Sequence, residues 1–216
     1  MLKKFYSQDK QDEYLENNVF KEFKNGFFVD VGAHDGISFN NTLYFQNNNN
    51  WNGINIEANP NVFTKLNENR PNNINLNVAA TNENTELDFI CNSGYTEMLS
   101  GLAKCYHSNH YDRLKKEINQ FGGNTNIIKV KSKRLEDIFD EHNVKHIHLL
   151  SIDVEGGEFD VLKSINFEKV FIDVIVFEQN YENNEIIDYI IDKNFKIIHK
   201  SQDIYVLNNK SQFTNI

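Results

Sequence analysis

The sequence contains few cysteines, few prolines and no long apolar run, and each shortage narrows the possibilities. With only Cys91 and Cys105, a disulfide framework is not expected and a four-cysteine zinc site is excluded. No apolar run approaches the roughly 20 residues of a membrane span, and residues 1–14 lack the apolar stretch of a signal peptide. We therefore expect a cytoplasmic protein without a membrane partner.

Positive charge is also scarce, because 22 Lys and Arg stand against 31 Asp and Glu, which gives a net charge of -9. This balance argues against nucleic acid as a partner, since contacts to the phosphate backbone dominate that affinity. The basic residues between 129 and 134 are interpreted instead as a solvated edge strand that its lysines protect.

Asparagine is the residue in excess, at about one residue in six, and it concentrates at turns such as 47–50 and 72–73. We interpret the excess as a genome bias on tolerant surface positions, typical of a low-G+C bacterium, a protist or a large DNA virus. A viral protein would act in the host cytoplasm. Hydrophobic residues make up 39% of the chain, with 17 Phe among them, so 216 residues can form one domain, 1–216, with a proper core.

Apolar runs and helical stripes alternate along the chain. A helix is predicted over residues 7–24 and a buried strand over 27–31, and strands and helices then alternate. This order predicts an α/β fold with a mostly parallel sheet, helices on both faces and right-handed crossovers. Short strands at 195–198 and 204–207 predict an antiparallel carboxy-terminal hairpin.

A glycine-bearing turn after the first strand predicts a nucleotide-binding loop. Gly32 allows a tight turn and the close approach of a ligand, and Gly36 allows the next helix to pack closely. Glu57 ends the second strand, 21 residues beyond Gly36, where an acid can accept hydrogen bonds from both ribose hydroxyls.

The turn nevertheless differs from a dinucleotide-binding loop. His34 takes the place of the second glycine in G-x-G-x-x-G, and no P-loop sequence is present. The loop therefore favours a donor with a ribose but without phosphates, and Asp30 could answer a positively charged group of that donor. S-adenosylmethionine is such a donor. An NAD-dependent oxidoreductase on a Rossmann-like fold is the alternative.

Longer motifs agree with this donor. One covers residues 28–38 and continues through 41–42 and 51–60, and a later one covers residues 149–158, LLSIDVEGGE. Ser7-Gln8 with Gln11-Asp12 and the strand end Phe177-Glu178 complete the set. Together, over about residues 6–180, they resemble the FkbM-like family of S-adenosylmethionine-dependent methyltransferases, whose amino-terminal signature is S-Q-x-x-Q-D.

This resemblance implies the class I methyltransferase fold, a Rossmann-like, seven-stranded and mostly parallel sheet with an antiparallel last strand. It implies S-adenosylmethionine as cofactor. Asp30, Gly32, His34 and Gly36 would surround its methionine end, Glu57 would bind the ribose, and Ala58, Ala80 and Thr81 would border the adenine. Further donor-binding candidates in or beside the same motifs are Gln8, Ala33 and Asn41.

Three acidic residues are the catalytic candidates: Asp153, Glu155 and Glu178. They lie at the predicted carboxyl ends of strands, where ligands bind in open α/β sheets. Methyl transfer to a hydroxyl requires that the acceptor is aligned and its proton removed. Asp153 or Glu155 could act as the base, or both could bind Mg²⁺. The alternative interpretation of residues 153–158 is a helix start, where acids are favoured.

The acceptor is expected to be a small molecule or a sugar. Residues 92–126 look irregular, which predicts an insertion that covers the acceptor, with Tyr95, Ser100 and His107 as substrate-contacting candidates. The family association implies O-methylation of a sugar, glycan or other small-molecule hydroxyl. A catalytically silent donor-binding module is a further alternative, and the oligomeric state is left open, with a homodimer as one option.

Overall fold

A computed structural model describes residues 3–179 and 184–214. Its strands are β1 (Phe27–Val31), β2 (Asn52–Ile56), β3 (Ile74–Leu76), β4 (Ala79–Ala80), β5 (Glu86–Ser93), β6 (Gly101–Leu102), β7 (Asn124–Lys133), β8 (His146–Ile152), β9 (Phe171–Glu178), β10 (Phe195–Lys200) and β11 (Asp203–Asn208). Its α-helices are α1 (Gln11–Tyr14), α2 (Leu43–Asn49), α3 (Pro60–Asn69), α4 (Ser108–Phe121), α5 (Leu135–Glu141), α6 (Glu158–Lys163) and α7 (Asn184–Asp192).

Seven strands form the central sheet, in the order β10-β11-β9-β8-β1-β2-β3. Neighbouring strands from β9 to β3 are parallel, whereas β11 runs antiparallel to both β9 and β10. This arrangement confirms the predicted α/β fold, the class I methyltransferase topology and the antiparallel hairpin at the carboxyl end.

The register of the sheet aligns the carboxyl ends of four strands. Val31 of β1 lies opposite Ile56 of β2 and Ile152 of β8, and Ile152 lies opposite Phe177 of β9. The next residue of each strand therefore emerges at one common edge. These four residues are Gly32, Glu57, Asp153 and Glu178.

Apolar side chains of the central strands alternate between two buried clusters, as the pleat requires. Val29 and Val31 belong to the cluster under α5, α6 and α7, whereas Phe28 belongs to an aromatic cluster with Phe45 and Trp51. Both faces of the parallel sheet are covered, so its strands are apolar on both sides.

A second sheet, in the order β4-β7-β5-β6, corrects the interpretation of residues 92–126 as irregular. β5 and β7 pair antiparallel over eight positions, from Glu86 opposite Lys131 to Ser93 opposite Asn124. Between them lie the 3₁₀ helix Gly94–Leu99, β6, the 3₁₀ turn Ala103–Cys105 and α4, a helix of 14 residues. The segment is therefore ordered, and its strands pair with each other rather than joining the parallel sheet.

The amino-terminal helix is shorter than the predicted span 7–24. It begins as α1 and continues as a π-helical segment, Leu15–Phe20, which ends where Lys21 and Glu22 take left-handed backbone conformations. Within the part of the chain that the structure describes, no helix combines the length and apolarity that crossing a membrane would need.

Candidate active site

A cavity of about 270 Å³ lies at the edge where β1, β2, β8 and β9 end. One part is lined by apolar residues, which are Ile56, Ala58, Val62, Val78, Ala79, Ala80, Phe89, Leu99 and Leu102. The other part is polar, and its lining includes Gln8, His34, Glu57, Glu97, Arg113, Asp153, Glu155, Glu178 and Gln202. An apolar slot beside a group of polar side chains suits a ligand with a flat ring at one end and charged groups at the other.

Gly32 and Asp153 meet backbone to backbone at the floor of the cavity. Gly32 has φ 85°, and a Cβ atom added to it would overlap the carbonyl oxygen of Asp153. The N–H groups of Gly32 and Ala33 both donate to the carbonyl of Ile56, at 2.9 and 3.0 Å. The glycine is therefore required by the contact between β1 and β8.

Gly36 has a packing role rather than a place in the cavity lining. Its φ is 76°, and an added Cβ would lie 2.7 Å from Leu66 and 2.6 Å from Arg70, at the end of α3. The predicted close approach of a helix at this glycine is present, although the helix is α3 rather than the next one along the chain.

The Glu57 carboxylate is held by two backbone donors. One of its oxygens accepts the N–H of His34 at 2.9 Å, and the other accepts the N–H of Asn59 at 2.7 Å. Burial raises the pKa of Glu57, and these hydrogen bonds and His34 oppose that effect. Each carboxylate oxygen retains a free lone pair, so the group can accept two further hydrogen bonds from a vicinal diol.

Asp30 has hydrogen-bond partners within the fold, and its predicted contact with a charged group of the donor stays a prediction. Its carboxylate accepts hydrogen bonds from Asn40 at 2.9 Å and from the Thr42 hydroxyl at 2.8 Å. The fully buried Arg70 donates to that hydroxyl at 3.2 Å and to Asn40 at 3.1 Å. Burial raises the pKa of Asp30, while the charge of Arg70 opposes the rise. The network fixes the loop after β1 from beneath.

His34 has left-handed backbone, φ 50°, and its imidazole lies between two acids. Its Nδ1 is 3.6 Å from Asp35 and its Nε2 is 3.4 Å from Glu97, without a hydrogen bond to either among the described residues. Burial lowers the pKa of His34, but Asp35, Glu57 and Glu97 outweigh that effect and raise it.

The remaining donor candidates divide between the cavity and its surroundings. Ala58 and Ala80 line the apolar part, whereas Thr81 lies behind it with a buried hydroxyl that has no partner among the described residues. Gln8, Ala33 and Asn41 line a smaller adjoining pocket, which also borders Asp30, Asp153 and Glu178. Asn41 donates to Ser151 at 3.0 Å, and its amide oxygen is buried without a partner in the part of the chain described.

The three predicted catalytic acids come together. One carboxylate oxygen from each of Asp153, Glu155 and Glu178 can be chosen so that all lie within 4.8 Å of one another. Asp153 is exposed to solvent, and its side chain borders the cavity. Burial and the charges of Glu178 and Glu155 raise the pKa of Asp153 well above its ordinary value. A carboxyl whose pKa is raised in this way is suited to holding or accepting a proton.

Of the predicted substrate contacts, only Ser100 lines the cavity, and its hydroxyl is used within the fold. It donates to the carbonyl of Glu97 at 2.7 Å and accepts the N–H of Asn92 at 3.0 Å. Tyr95 is 62% exposed and packs on Phe121 outside the cavity. His107 lies just before α4 and does not line the cavity. Tyr95 and His107 therefore do not contact the cavity, although residues 97–102 and Arg113 of the same segment line it.

Three polar residues of the cavity lining were not predicted: Glu97, Arg113 and Gln202. A fourth, His110, lies behind the lining, with Nε2 3.1 Å from Oε2 of Glu155. Glu97, His110 and Arg113 come from the segment that the sequence pattern left irregular, so no periodicity marked them.

Buried polar atoms without hydrogen-bond partners concentrate here. Among the described residues, six of eight such side-chain atoms belong to five residues at or beside the cavity, which are His34, Asn41, Thr81, His110 and Glu155. Buried polar groups are rarely left unsatisfied in folded proteins. Their concentration therefore indicates a polar ligand.

A second group of His and Asp side chains lies on β8 and β9, at the amino ends of these strands. His146 and Asp173 are 2.6 Å apart, and His148 accepts the backbone N–H of Phe27 at 3.0 Å through Nδ1. His146 and His148 stack with ring centroids 4.2 Å apart. These contacts give all three side chains partners within the fold.

Comparison with known proteins identifies a family and a shared fold. The family model described as methyltransferase FkbM domain matches residues 30–197. No curated protein matches the sequence. The crystal structure of methyltransferase FkbM from Methylobacillus flagellatus KT is similar with a TM-score of 0.51 and 12% identity, over 86% of this chain and 44% of that one. A TehB-like SAM-dependent methyltransferase from Corynebacterium glutamicum has a TM-score of 0.49 and 8% identity, over 96% of this chain and 89% of that one. At such identities the likeness concerns the fold, and this chain spans less than half the length of the M. flagellatus protein.

Proposed function

This chain belongs to the FkbM methyltransferase family, and we propose from that premise that it transfers the methyl group of S-adenosylmethionine to a hydroxyl of a sugar or similar small molecule. The observation that carries the proposal is the pairing of Glu57, an acid held ready for a ribose, with three acids at the neighbouring strand ends.

The donor would lie along the strand ends, with its ribose hydroxyls on Glu57. Its adenine would enter the apolar slot bordered by Ala58 and Ala80, close to the unpartnered hydroxyl of Thr81. Its methionine end would extend over Gly32 toward the pocket of Gln8 and Asn41. Because Gly32 has no side chain, this end of the donor can reach the loop backbone.

The reaction needs one proton acceptor beside the acceptor hydroxyl. As the oxygen attacks the methyl carbon, the new O–C bond forms and the C–S bond breaks, with its electron pair left on sulfur. The hydroxyl proton passes to a carboxylate of the group Asp153, Glu155 and Glu178. Alignment of the two reactants and removal of this proton are the contributions the chain's own residues make.

The same three carboxylates would fit a divalent cation. Hard cations such as Mg²⁺ prefer oxygen ligands, and Asp153, Glu155 and Glu178 would supply them. A bound Mg²⁺ would acidify the acceptor hydroxyl. A metal-chelating buffer distinguishes the two arrangements, since a carboxylate base keeps its activity in EDTA.

A sugar is favoured as acceptor by the chemistry of this end of the cavity. The carboxylates of Asp153 and Glu178 can accept hydrogen bonds from adjacent hydroxyls, and the amide of Gln202 can both donate and accept them. With three acids facing one arginine, Arg113, the site suits uncharged polyols better than acidic ones.

Tritium transfer from [methyl-³H]S-adenosylmethionine to a panel of methyl glycosides and nucleotide sugars tests the proposal, with and without EDTA. We expect the wild type to label at least one acceptor and the D153N and E178Q variants to lose about 100-fold in rate. The surface variant D88N is the matched control. Donor binding without any transfer would instead support the silent module, and displacement of bound S-adenosylhomocysteine by NADH would support the oxidoreductase.

A further inference from the structure

Helix α4 places a buried histidine against the acceptor end of the cavity. The side chain of His110 is 5% exposed, and its Nε2 lies 3.1 Å from Oε2 of Glu155. The two atoms are within ion-pair distance but not aligned as a hydrogen bond, and neither has a hydrogen-bond partner among the described residues. A small rotation of either side chain would join them.

The backbone of Glu155 is fixed in an unusual conformation. Its φ is 58°, a left-handed value that is unfavourable for a non-glycine residue. The carboxylate of Glu158 accepts the N–H groups of Val154 and Gly156 at 3.3 and 3.1 Å, which holds the turn on both sides of Glu155. Strain of this kind persists where the surroundings over-determine a position, and functional sites are such places.

The second sheet and α4 also pack around Glu155 and His110. A Cβ added to Gly101 of β6 would lie 3.4 Å from Cβ of Glu155, so the strand packs directly on that residue. The His110 ring packs on Tyr106 at 4.5 Å between centroids. Arg113, one turn further along α4, lines the cavity, so one face of the helix serves both residues.

We propose that His110 is a positioning residue of the acceptor site, which holds one oxygen of the Glu155 carboxylate so that the other can take the proton of the acceptor hydroxyl. The inference rests on the proposed function. Glu155 gains that proton while the O–C bond forms and the sulfur of the donor keeps the electrons of the broken C–S bond. His110 touches no reactant and acts through Glu155 alone.

An NMR experiment on the saturated S-adenosylhomocysteine complex tests the pairing without any acceptor. In protein labelled with [¹⁵N]histidine, the ring signals of His110 are assigned by their loss in the H110Q variant. We expect them to shift in E155Q and to stay unchanged in D88N, whose acid lies outside the cavity. Ring signals of His110 that do not shift in the E155Q variant would overturn the inference.

Turnover with the best acceptor of the glycoside panel tests the consequence. We expect H110A to lower kcat about tenfold or more while the Kd of S-adenosylhomocysteine stays within about twofold. H110Q keeps an N–H donor in nearly the same place, so its kcat should be close to that of the wild type. E155Q lacks the proton-accepting carboxylate and should have a low kcat. The exposed α4 variant K115A should match the wild type. A kcat of H110A equal to the wild type, or a loss that H110Q fails to recover, would contradict the positioning role.

The proposed function and the pairing of His110 with Glu155 can be refuted separately. If the wild type does not bind S-adenosylhomocysteine, the proposed function fails, whatever His110 does. If the wild type binds S-adenosylhomocysteine but the His110 signals do not shift in E155Q, only the inference about His110 fails. If no glycoside of the panel is methylated, the ¹⁵N signals decide the pairing.

Discussion

Gly32 and Asp153 are in backbone contact, the α-carbon of one against the carbonyl oxygen of the other, so that no side chain fits between them. The contact joins the glycine turn after β1 to the acid after β8, which stand 121 residues apart in the chain. It brings the donor loop and one of the three acids of the proposed acceptor site to the same point of the sheet edge.

G32A should therefore disrupt both the donor loop and the position of Asp153. We expect a loss of at least about 3 kcal/mol in the free energy of unfolding and no detectable binding of S-adenosylhomocysteine. Gly122 is the matched control, because it has φ 76° but nothing within 4 Å of an added Cβ. G122A should cost about 1–3 kcal/mol, because φ 76° with ψ 175° is a conformation that almost only glycine adopts, and it should leave binding intact. Equal effects in urea unfolding would show that backbone conformation, not the contact, requires Gly32.

R70M should destabilise the protein strongly. Arg70 is fully buried, and its guanidinium donates to Gly36, Asn40 and Thr42, beside the charge of Asp30. Burial lowers the pKa of Arg70 to about 10, so it remains charged at neutral pH. Removing it leaves Asp30 buried and uncompensated, for which we expect a loss of about 3–5 kcal/mol in urea unfolding. The exposed variant K116M should stay within about 0.5 kcal/mol of the wild type, and an equally small effect of R70M would refute the structural role of the network.

T81V separates stability from ligand binding. The buried hydroxyl of Thr81 has no partner among the described residues, and an unsatisfied buried group costs about 1–3 kcal/mol. Valine removes that cost, so the unfolding temperature of the free protein should rise while the affinity for S-adenosylhomocysteine falls several-fold. The buried control T96V loses a hydrogen bond to Ser93, at 3.4 Å, and should be destabilised. Unchanged affinity in T81V would remove Thr81 from the adenine site.

D153N should stabilise the free protein in a pH-dependent way. The pKa of Asp153 is raised on folding, so the native state binds more protons than the unfolded state between the ordinary pKa and the raised one. Stability therefore falls as pH rises through this window, and the penalty is absent below the ordinary pKa near 3.8. Thermal unfolding in EDTA should show a gain for D153N at pH 8 and none at pH 3.5. The cavity admits solvent, which screens part of the effect.

The surface acid Asp140 gives the opposite sign. Its hydrogen bond to Lys169 lowers its pKa, so its contribution to stability is present above the ordinary value and lost as pH falls. D140N should therefore lose stability at pH 8 and match the wild type in strong acid. A pH-independent gain in D153N would contradict the raised pKa of Asp153.

The sequence pattern predicted the central sheet because its strands are apolar on both faces and its turns carry glycine. Gly32, Glu57, Asp153 and Glu178 could be placed together because each follows a strand whose end the register aligns. At these positions the local signals and the final fold agree.

The sequence pattern did not predict which side chains lie beside the site residues. The sequence places Asp30 in the donor loop but does not show that Arg70, 40 residues later, lies beside its carboxylate. Helix α4 escaped prediction because its buried stripe begins with a histidine, His110, and continues only through Leu114 and the half-buried Ile118. A polar residue at an apolar position hides a helix from periodicity, and here that residue is the one that lies against Glu155.

Calorimetric titration with S-adenosylhomocysteine tests the central claim most directly. Glu57 is presented to the cavity by the N–H groups of His34 and Asn59, so E57A should abolish measurable binding, and E57Q, which keeps the shape but has only one acceptor oxygen, should weaken it at least about tenfold. The account predicts one bound product molecule per wild-type chain and none for E57A. A wild type that binds none, or an E57A variant that binds like the wild type, would contradict it.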